Sequence, residues 1–163
     1  MIRLVNRPRP ASLSPHVTLV GTGQDYKKAQ QILAGLHNIK FLEWVKPEEL
    51  PDLVARHAIS LGIFSTTSKG LRWVPNKVDH SMAAGCAVVT SASKPQLRVL
   101  GDGAIFTTPG NAESLAETLK NLLTHPDALA AAQRNAREAA SRFTPEKVTS
   151  PLAAWIRARQ GTR

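Results

Sequence analysis

The stretch from Val74 to Val89, VPNKVDHSMAAGCAVV, places an amide, a cation and an imidazole within about one helical turn of each other. Pro75 suits the first position of a helix, so we predict a helix that begins there with free backbone N–H groups. Asn76 and His80 are four residues apart, hence on one face, and helical side chains lean toward the N-terminus. Together with Lys77 they could hold an anion such as a phosphate over the helix start. The alternative interpretation is that Asn76, Lys77 and Asp79 only form a soluble first turn.

Strands and helices alternate along the chain as in an α/β protein. We predict strands at 16–23, 39–45, 59–64, 86–91 and 104–109, and a loop at 65–73. Helices are predicted at 24–37, at 46–57 with Pro47 near its start, from Pro75, at 94–100, and at 112–123, 126–143 and 144–159. Ala83, Ala84 and Gly85 are expected to let the helix from Pro75 press closely on the sheet. Strands that are apolar on both faces favour a doubly wound parallel sheet with helices on both faces and a helical C-terminus. Ligands of such sheets bind at the carboxyl ends of the strands, near the switch in strand order.

Two glycines, Gly21 and Gly23, follow the strand predicted at 16–23. A dinucleotide fingerprint needs a third glycine, and Tyr26 stands in its place, so a tight strand-to-helix turn is an equally good interpretation. The sequence contains neither GxxxxGK[ST] nor GxSxG, which excludes a P-loop nucleotidase and a serine hydrolase with a nucleophile elbow. Cys86, the single cysteine, is interpreted as an inert core residue and excludes an internal disulfide or a cysteine-based zinc site.

Composition and charge limit the kind of protein. The 163 residues fit one domain, and 21 basic against 12 acidic residues give a net charge of +9, which favours anionic partners. We divide the chain into a basic N-terminal segment, residues 1–15, that could be the remnant of a first strand, and a single Rossmann-like domain, residues 16–163. The arginines at the two ends are expected to be solvated tails: Arg3, Arg7, Arg9, Arg157, Arg159 and Arg163. No basic strand interleaved with aromatic residues supports nucleic-acid binding. Without a membrane span or a secretory signal, a cytoplasmic setting is expected, and contact with the anionic inner face of a membrane is compatible with the charge.

Five segments between about residues 16 and 158 resemble, in order, the C-terminal half of group 1 (family 4) glycosyltransferases of the GT-B fold. They are VGTG, FLEWVKPEELPDLVARHAISLGIF, PNKVDHSMAAGCAVVTS, GDGAIFTTPGNAESLAETLKNLL and AREAASRFTPE. The resemblance implies a Rossmann-like domain that binds a nucleoside diphosphate sugar as substrate, without a metal or another cofactor. It implies that the diphosphate faces the helix from Pro75, that the base lies against Trp44 and Val45, and that Gly21 and Gly23 line the cleft.

The sequence departs from the family in three places. Two glutamates eight positions apart, one near the sugar and one near the ribose, are replaced by Arg72 and His80. Histidine can still bond a ribose hydroxyl, whereas arginine cannot accept a hydrogen bond. The family's first strand and helix are missing or reduced to residues 1–10, and its N-terminal, acceptor-binding domain has no counterpart.

The leading hypothesis is therefore the nucleotide-sugar-binding domain of a glycosyltransferase, which needs an acceptor domain or a partner chain and is expected to be inactive alone. No catalytic residue is assigned. The alternative is a non-catalytic binding or interaction domain of the same fold with a degenerate donor site. A basic nucleic-acid-binding protein ranks third.

Overall fold

The computed structural model describes residues 2–3 and 15–160 of the chain. Arg7, Arg9 and Arg163 lie outside these ranges, and the division of the chain after residue 15 stays a prediction. The described strands are β1 Ile2–Arg3, β2 His16–Val20, β3 Ile39–Leu42, β4 Ile59–Leu61, β5 Ala87–Ser91 and β6 Ile105–Thr107. The described helices are α1 Tyr26–Ile32, α2 Leu50–Ala55, α3 Ser68–Arg72, α4 Asn76–Ala83, α5 Lys94–Leu100, α6 Ala112–Thr124, α7 Pro126–Ala140 and α8 Pro145–Gln160.

The strands form one sheet in the order β3-β2-β1-β4-β5-β6. The pairs β2–β3, β4–β5 and β5–β6 are parallel, as predicted. The two-residue strand β1 runs antiparallel to both of its neighbours, Ile2 pairing with Val17 on one side and Ile59 on the other. The strand order switches direction between β2 and β4, so a ligand of this sheet is expected beyond the carboxyl ends of these two strands.

Helices cover both faces of the sheet, which confirms the doubly wound architecture. Successive β5 residues point to opposite faces, so Ala87 and Val89 enter one core cluster and Val88 enters the other. The first cluster also holds Ile59, Leu122, Leu123 and Leu129, from β4, α6 and α7. The second holds Val78, Met82, Leu100, Ala136 and Ala139, from α4, α5 and α7. All five β5 residues are buried, whereas no residue of β2 or β3 is fully buried. The β4–β5 side of the sheet is therefore the well-packed frame on which α4 rests.

Several element boundaries differ from the predictions: α1 ends at Ile32 rather than at residue 37, β4 ends at Leu61 rather than at residue 64, and three further differences lie near the candidate site. The strand β3 ends at Leu42, which leaves Trp44 and Val45 in the following loop. The helix α2 starts at Leu50, so Pro51 rather than Pro47 lies in its first turn. The predicted loop 65–73 contains the helix α3, whose start is capped by the Thr67 hydroxyl accepting from the Gly70 N–H at 3.2 Å.

The described residues contain no helix that is both long and apolar enough to cross a membrane.

Candidate functional site

The candidate residues all follow strands at one edge of the sheet. Gly21 and Gly23 follow β2, Trp44 and Val45 follow β3, and Arg72 ends the helix that follows β4. The remaining three, Asn76, Lys77 and His80, lie on α4 between β4 and β5. Because β2 to β5 run parallel apart from the short insertion of β1, their carboxyl ends meet at one edge, where the switch in strand order lies.

The glycine loop is a tight turn from β2 into α1. Gly21 has a φ of +125°, in the region that favours glycine, and its N–H donates to the Leu42 carbonyl at 2.9 Å. The Gly23 carbonyl accepts from the Tyr26 N–H at 2.9 Å. A methyl group added at either glycine would meet no atom of the described residues within 4 Å. The loop therefore borders open space rather than packed protein.

The helix α4 begins without a side-chain cap. Pro75 has an extended backbone and occupies the N-cap position, whereas the sequence predicted it at the first helical position. Its carbonyl accepts a hydrogen bond from the Val78 N–H at 2.9 Å. Proline has no side-chain acceptor, so the amides of Asn76 and Lys77 are not covered by a side-chain cap. This helix start has the free donors and the dipole that attract an anion.

Two buried serines connect α4 to the sheet through a hydrogen bond. The Ser81 hydroxyl donates to the Lys77 carbonyl at 2.6 Å, so it accepts from the Ser60 hydroxyl of β4, also at 2.6 Å. The prediction that the small residues press α4 against the sheet is wrong, because Ala83 is exposed and Gly85 lies under the Arg137 guanidinium. Val78, Ser81 and Met82 are the buried residues of α4 instead.

Lys77 stands in the first turn of α4. Much of its side chain reaches solvent, yet the protein atoms around its ammonium group desolvate it and lower its pKa. No carboxylate of the described residues forms an ion pair with it. A phosphate placed at the helix start would supply the missing countercharge.

Asp79 is the acidic residue nearest to this helix start. Burial raises the pKa of its carboxyl group, and the neighbouring His80 partly opposes the shift. Its Oδ1 atom is buried and has no hydrogen-bond partner among the described residues. Asp79 therefore places an incompletely solvated negative charge one turn from the amides that would face a phosphate.

Replacing Asp79 by asparagine is expected to stabilise the domain at neutral pH, by about 1 kcal/mol, because a poorly satisfied buried charge is removed. The raised pKa means that the folded state binds its proton more readily than the unfolded state. Asp79 therefore costs stability above its folded pKa, and the cost is relieved as the pH falls toward its unfolded value. Urea unfolding of both proteins at neutral and at acidic pH tests this. A variant that is less stable at neutral pH would show that the carboxylate interacts favourably with the α4 dipole instead.

A groove between α2 and α4 lies beside His80. It has a volume of about 540 Å³ and is mainly apolar, with Pro47, Leu50, Pro51 and Val54 on the α2 side. His80, Ala83 and Ala84 form the α4 side. The exposed imidazole of His80 thus stands between the start of α4 and an apolar groove of a size that suits a planar ring.

Two further candidate residues lie outside this groove. Trp44 is 78% exposed, and Arg72 is exposed in the last turn of α3. Neither residue lines the groove beside His80. This groove could not be predicted from the sequence, because apart from His80 and Asp52 it is lined by prolines, leucine, valine and alanines, which carry no motif.

Cys86 is a core residue, as predicted. It is fully buried, and its thiol lies 3.1 Å from the His57 carbonyl and 3.3 Å from that of Val54. Burial raises the pKa of Cys86 to about 11. The thiol is therefore protonated at neutral pH and is no nucleophile.

The family model for group 1 glycosyl transferases matches residues 2–125. The chain belongs to this family. No curated protein sequence matches it.

Several solved structures share the fold of this family member. Sucrose-phosphate synthase from Thermosynechococcus elongatus superposes with a TM-score of 0.71 at 16% identity, covering 91% of this chain and 39% of that one. The Anabaena protein HepE in complex with UDP-glucose has a TM-score of 0.70 at 22% identity, covering 86% of this chain and 40% of that one. The C-terminal domain of the Francisella tularensis group 1 glycosyl transferase LpcC has a TM-score of 0.58 at 17% identity, covering 75% and 65%. The fold is thus the Rossmann-like C-terminal half of GT-B glycosyltransferases, and the chain spans about 40% of the length of the first two structures.

Proposed function

We propose that this domain binds the nucleoside diphosphate sugar donor of a glycosyltransferase at the start of α4. The observation that carries the proposal is the first turn of α4, which has no side-chain cap and holds a lysine whose desolvated ammonium has no carboxylate partner among the described residues. Charge on a departing diphosphate is stabilised by such preorganised donors. The glycine loop at Gly21 and Gly23 leaves open space on the other side of the switch point.

The nucleoside would extend from the phosphate site along α4. His80 lies one helical turn after Asn76 and Lys77, so its imidazole could bond a ribose hydroxyl. The base would then lie at the entrance of the groove, near Pro47 and Leu50, and against Val45 and Trp44 of the preceding loop. The sugar would point toward Arg72, which can donate hydrogen bonds to it but not accept them.

Calorimetric titration with UDP, GDP and ADP at moderate salt tests the donor site. UDP is tried first, because HepE of the same fold has been solved with UDP and with UDP-glucose. Saturable binding of one diphosphate, with its monophosphate clearly weaker, supports the proposal and identifies the base. Absence of binding by all three favours the alternative, an interaction domain whose donor site has degenerated at Arg72 and His80.

Replacing His80 by alanine is expected to weaken binding of that diphosphate about five- to tenfold, through a lost hydrogen bond to the ribose. The wild-type protein should bind the corresponding deoxynucleotide more weakly than the ribonucleotide, and the variant should bind the two equally. Thr124→Ala, in an exposed position of α6, serves as a control for handling and concentration. An unchanged affinity in the His80 variant would make this histidine a bystander.

We infer that sugar transfer also needs an acceptor-binding domain, in the same polypeptide or in a partner. The solved structures of the same fold are more than twice as long as the part that this chain covers. One face of α8 is ready for such a contact, since it exposes four large apolar residues at helical spacing: Val148, Leu152, Trp155 and Ile156. Turnover of an added acceptor by this chain alone, at an ordinary enzymatic rate, would contradict the inference.

A further inference from the structure

The groove between α2 and α4 has a single carboxylate in its lining, that of Asp52. The only other polar side chain that lines it is His80, and the rest of the lining is apolar. Since His80 is assigned to the ribose, Asp52 is the polar side chain of the groove that remains for the base.

Asp52 lies at the rim of the groove, in the first turn of α2. Leu50 and Val54 lie four residues apart on one face of this helix and form part of the apolar wall, with Val54 only 7% exposed. Asp52 itself is exposed. Its carboxylate oxygens accept no hydrogen bond from another side chain or amide of the described residues. They are therefore available to a ligand whose flat face covers the wall and whose edge reaches the rim.

The chemistry of a carboxylate distinguishes the bases, because it accepts hydrogen bonds and donates none. The edge of guanine presents two neighbouring donors, N1–H and the 2-amino group, which match the two oxygens of a carboxylate in a paired, charge-assisted contact. Uracil presents one donor, N3–H, between two carbonyl oxygens that a carboxylate repels. Adenine and cytosine each place an acceptor nitrogen beside their amino group. Among these four bases, guanine is thus the one whose edge fits Asp52 without repulsion.

The length of the groove also suits a purine. Its α2 wall runs from Leu50 to Ala55 and rises by roughly 7.5 Å, at about 1.5 Å per residue. The opposite wall at Ala83 and Ala84 has only methyl side chains, which leave space for a flat ring system. Two fused rings cover more of these apolar walls than a single ring does, and so remove more apolar surface from water.

We propose that the donor is a guanosine diphosphate sugar and that Asp52 determines the choice of base. The guanine rings lie on the apolar wall, and N1–H and the 2-amino group donate to the Asp52 carboxylate at the rim. The assignment rests on the donor-binding function proposed above and adds which base the site takes.

Calorimetric titration of the wild-type chain with GDP, inosine diphosphate, UDP and ADP tests the choice of base. Inosine diphosphate keeps N1–H and lacks the 2-amino group, so it removes one of the two hydrogen bonds to Asp52. We expect GDP to bind about 10-fold more tightly than inosine diphosphate, and more tightly than UDP or ADP. Tighter binding of UDP or ADP, or equal binding of GDP and inosine diphosphate, overturns this assignment and leaves the proposed donor function standing. Absence of binding by all four overturns both.

Asp52→Asn tests the role of the carboxylate itself. Asparagine offers one acceptor and places an amide donor opposite the second donor of guanine, so the affinity for GDP is expected to fall about 10-fold and that for inosine diphosphate less. Glu48→Gln is the matched control, because Glu48 is exposed just before α2, does not line the groove and removes the same charge. Its affinities should stay within about twofold of wild type. Equal losses of GDP in the two variants, or equal losses of GDP and inosine diphosphate in the Asp52 variant, would overturn the role of Asp52.

Discussion

Replacing Lys77 by alanine is expected to weaken binding of a nucleoside diphosphate by about 10- to 100-fold and binding of the free nucleoside hardly at all. The estimate follows from the loss of one charge-assisted contact in a partly desolvated position. Lys77 stands in the first turn of α4, where the amides are uncapped, and a nucleoside has no group to place there. Calorimetry with the matched diphosphate and nucleoside measures both losses in one protein preparation.

A second lysine serves as control for the net charge of the protein. Lys120, exposed on α6, is replaced by alanine in the same way. If the strongly basic chain attracted diphosphates only through its overall charge, the two variants would lose affinity equally. Equal losses of nucleoside and diphosphate in the Lys77 variant would likewise remove the phosphate role of this residue.

The pKa of Lys77 adds a pH signature to the same variant. Since burial lowers this pKa, the ammonium loses its proton at a lower pH than an ordinary lysine. Diphosphate binding by the wild-type chain should therefore weaken as the pH rises into the alkaline range, and the variant should lose this dependence. The stability of the variant should not fall, because a lysine whose pKa is lowered by folding costs stability below its folded pKa.

The sheet and most of its helices could be predicted from the sequence, because their apolar residues follow simple periods. The strand β5 is the clearest example, since its residues from Ala87 to Val89 pack alternately into the two core clusters. The helix α5 has the predicted bounds, with Pro95 in its first turn and Gly101 at its end. The place of the candidate residues could also be predicted, because in a sheet of this topology the residues that follow the strands meet at the carboxyl edge.

Features that depend on contacts between distant residues could not be predicted. The hydrogen bond between Ser60 and Ser81 joins residues 21 positions apart, and neither serine belongs to a motif. The short helix α3 was missed because its five residues are fewer than two turns and depend on the Thr67 cap. Two prolines, Pro47 and Pro51, both suit a helix start, and sequence alone chose the wrong one.

The candidate site, too, could be predicted only in part. The residues Asn76, Lys77 and His80 were chosen by type and spacing. The structure adds what surrounds them: a helix start without a side-chain cap, the desolvation of Lys77, and an Asp79 oxygen that has no partner among residues 15–160. Each of these depends on how neighbouring elements exclude water from α4. Residue type and spacing can therefore predict that a residue belongs to an anion site. Only the packing shows whether its charge already has a partner within the protein.

Packing also predicts a large loss of stability at one buried glycine. Replacing Gly62 by alanine is expected to destabilise the domain by about 3 kcal/mol, because the added methyl group would overlap a well-packed neighbour. Gly62 follows β4, is buried, and donates its N–H to the Val89 carbonyl at 2.8 Å. A Cβ atom built on it would lie 2.5 Å from the Thr90 Cβ and still closer to the Thr90 hydroxyl.

The crowded Thr90 side chain has little freedom to move away. Its hydroxyl lies 2.5 Å from the Gln96 Oε1 and accepts from the Ile63 N–H at 3.2 Å. Gln96 is itself fully buried and donates to the Ser91 carbonyl and the Ser93 hydroxyl, both at 3.2 Å. Moving Thr90 would therefore break a buried polar network that joins the segment after β4 to β5 and the start of α5.

Urea unfolding of the Gly62 variant measures the loss, and Gly23→Ala is its matched control. Both changes add one methyl group at a glycine without a positive φ, but at Gly23 the methyl would meet no atom within 4 Å in the part of the chain that the structure describes. The Gly23 variant should therefore unfold close to the wild-type midpoint, while the Gly62 variant unfolds at clearly lower denaturant. A free energy of unfolding within a few tenths of a kcal/mol of the wild-type value would contradict the prediction. It would mean that β4 and β5 move apart at Thr90 with little cost to the buried network.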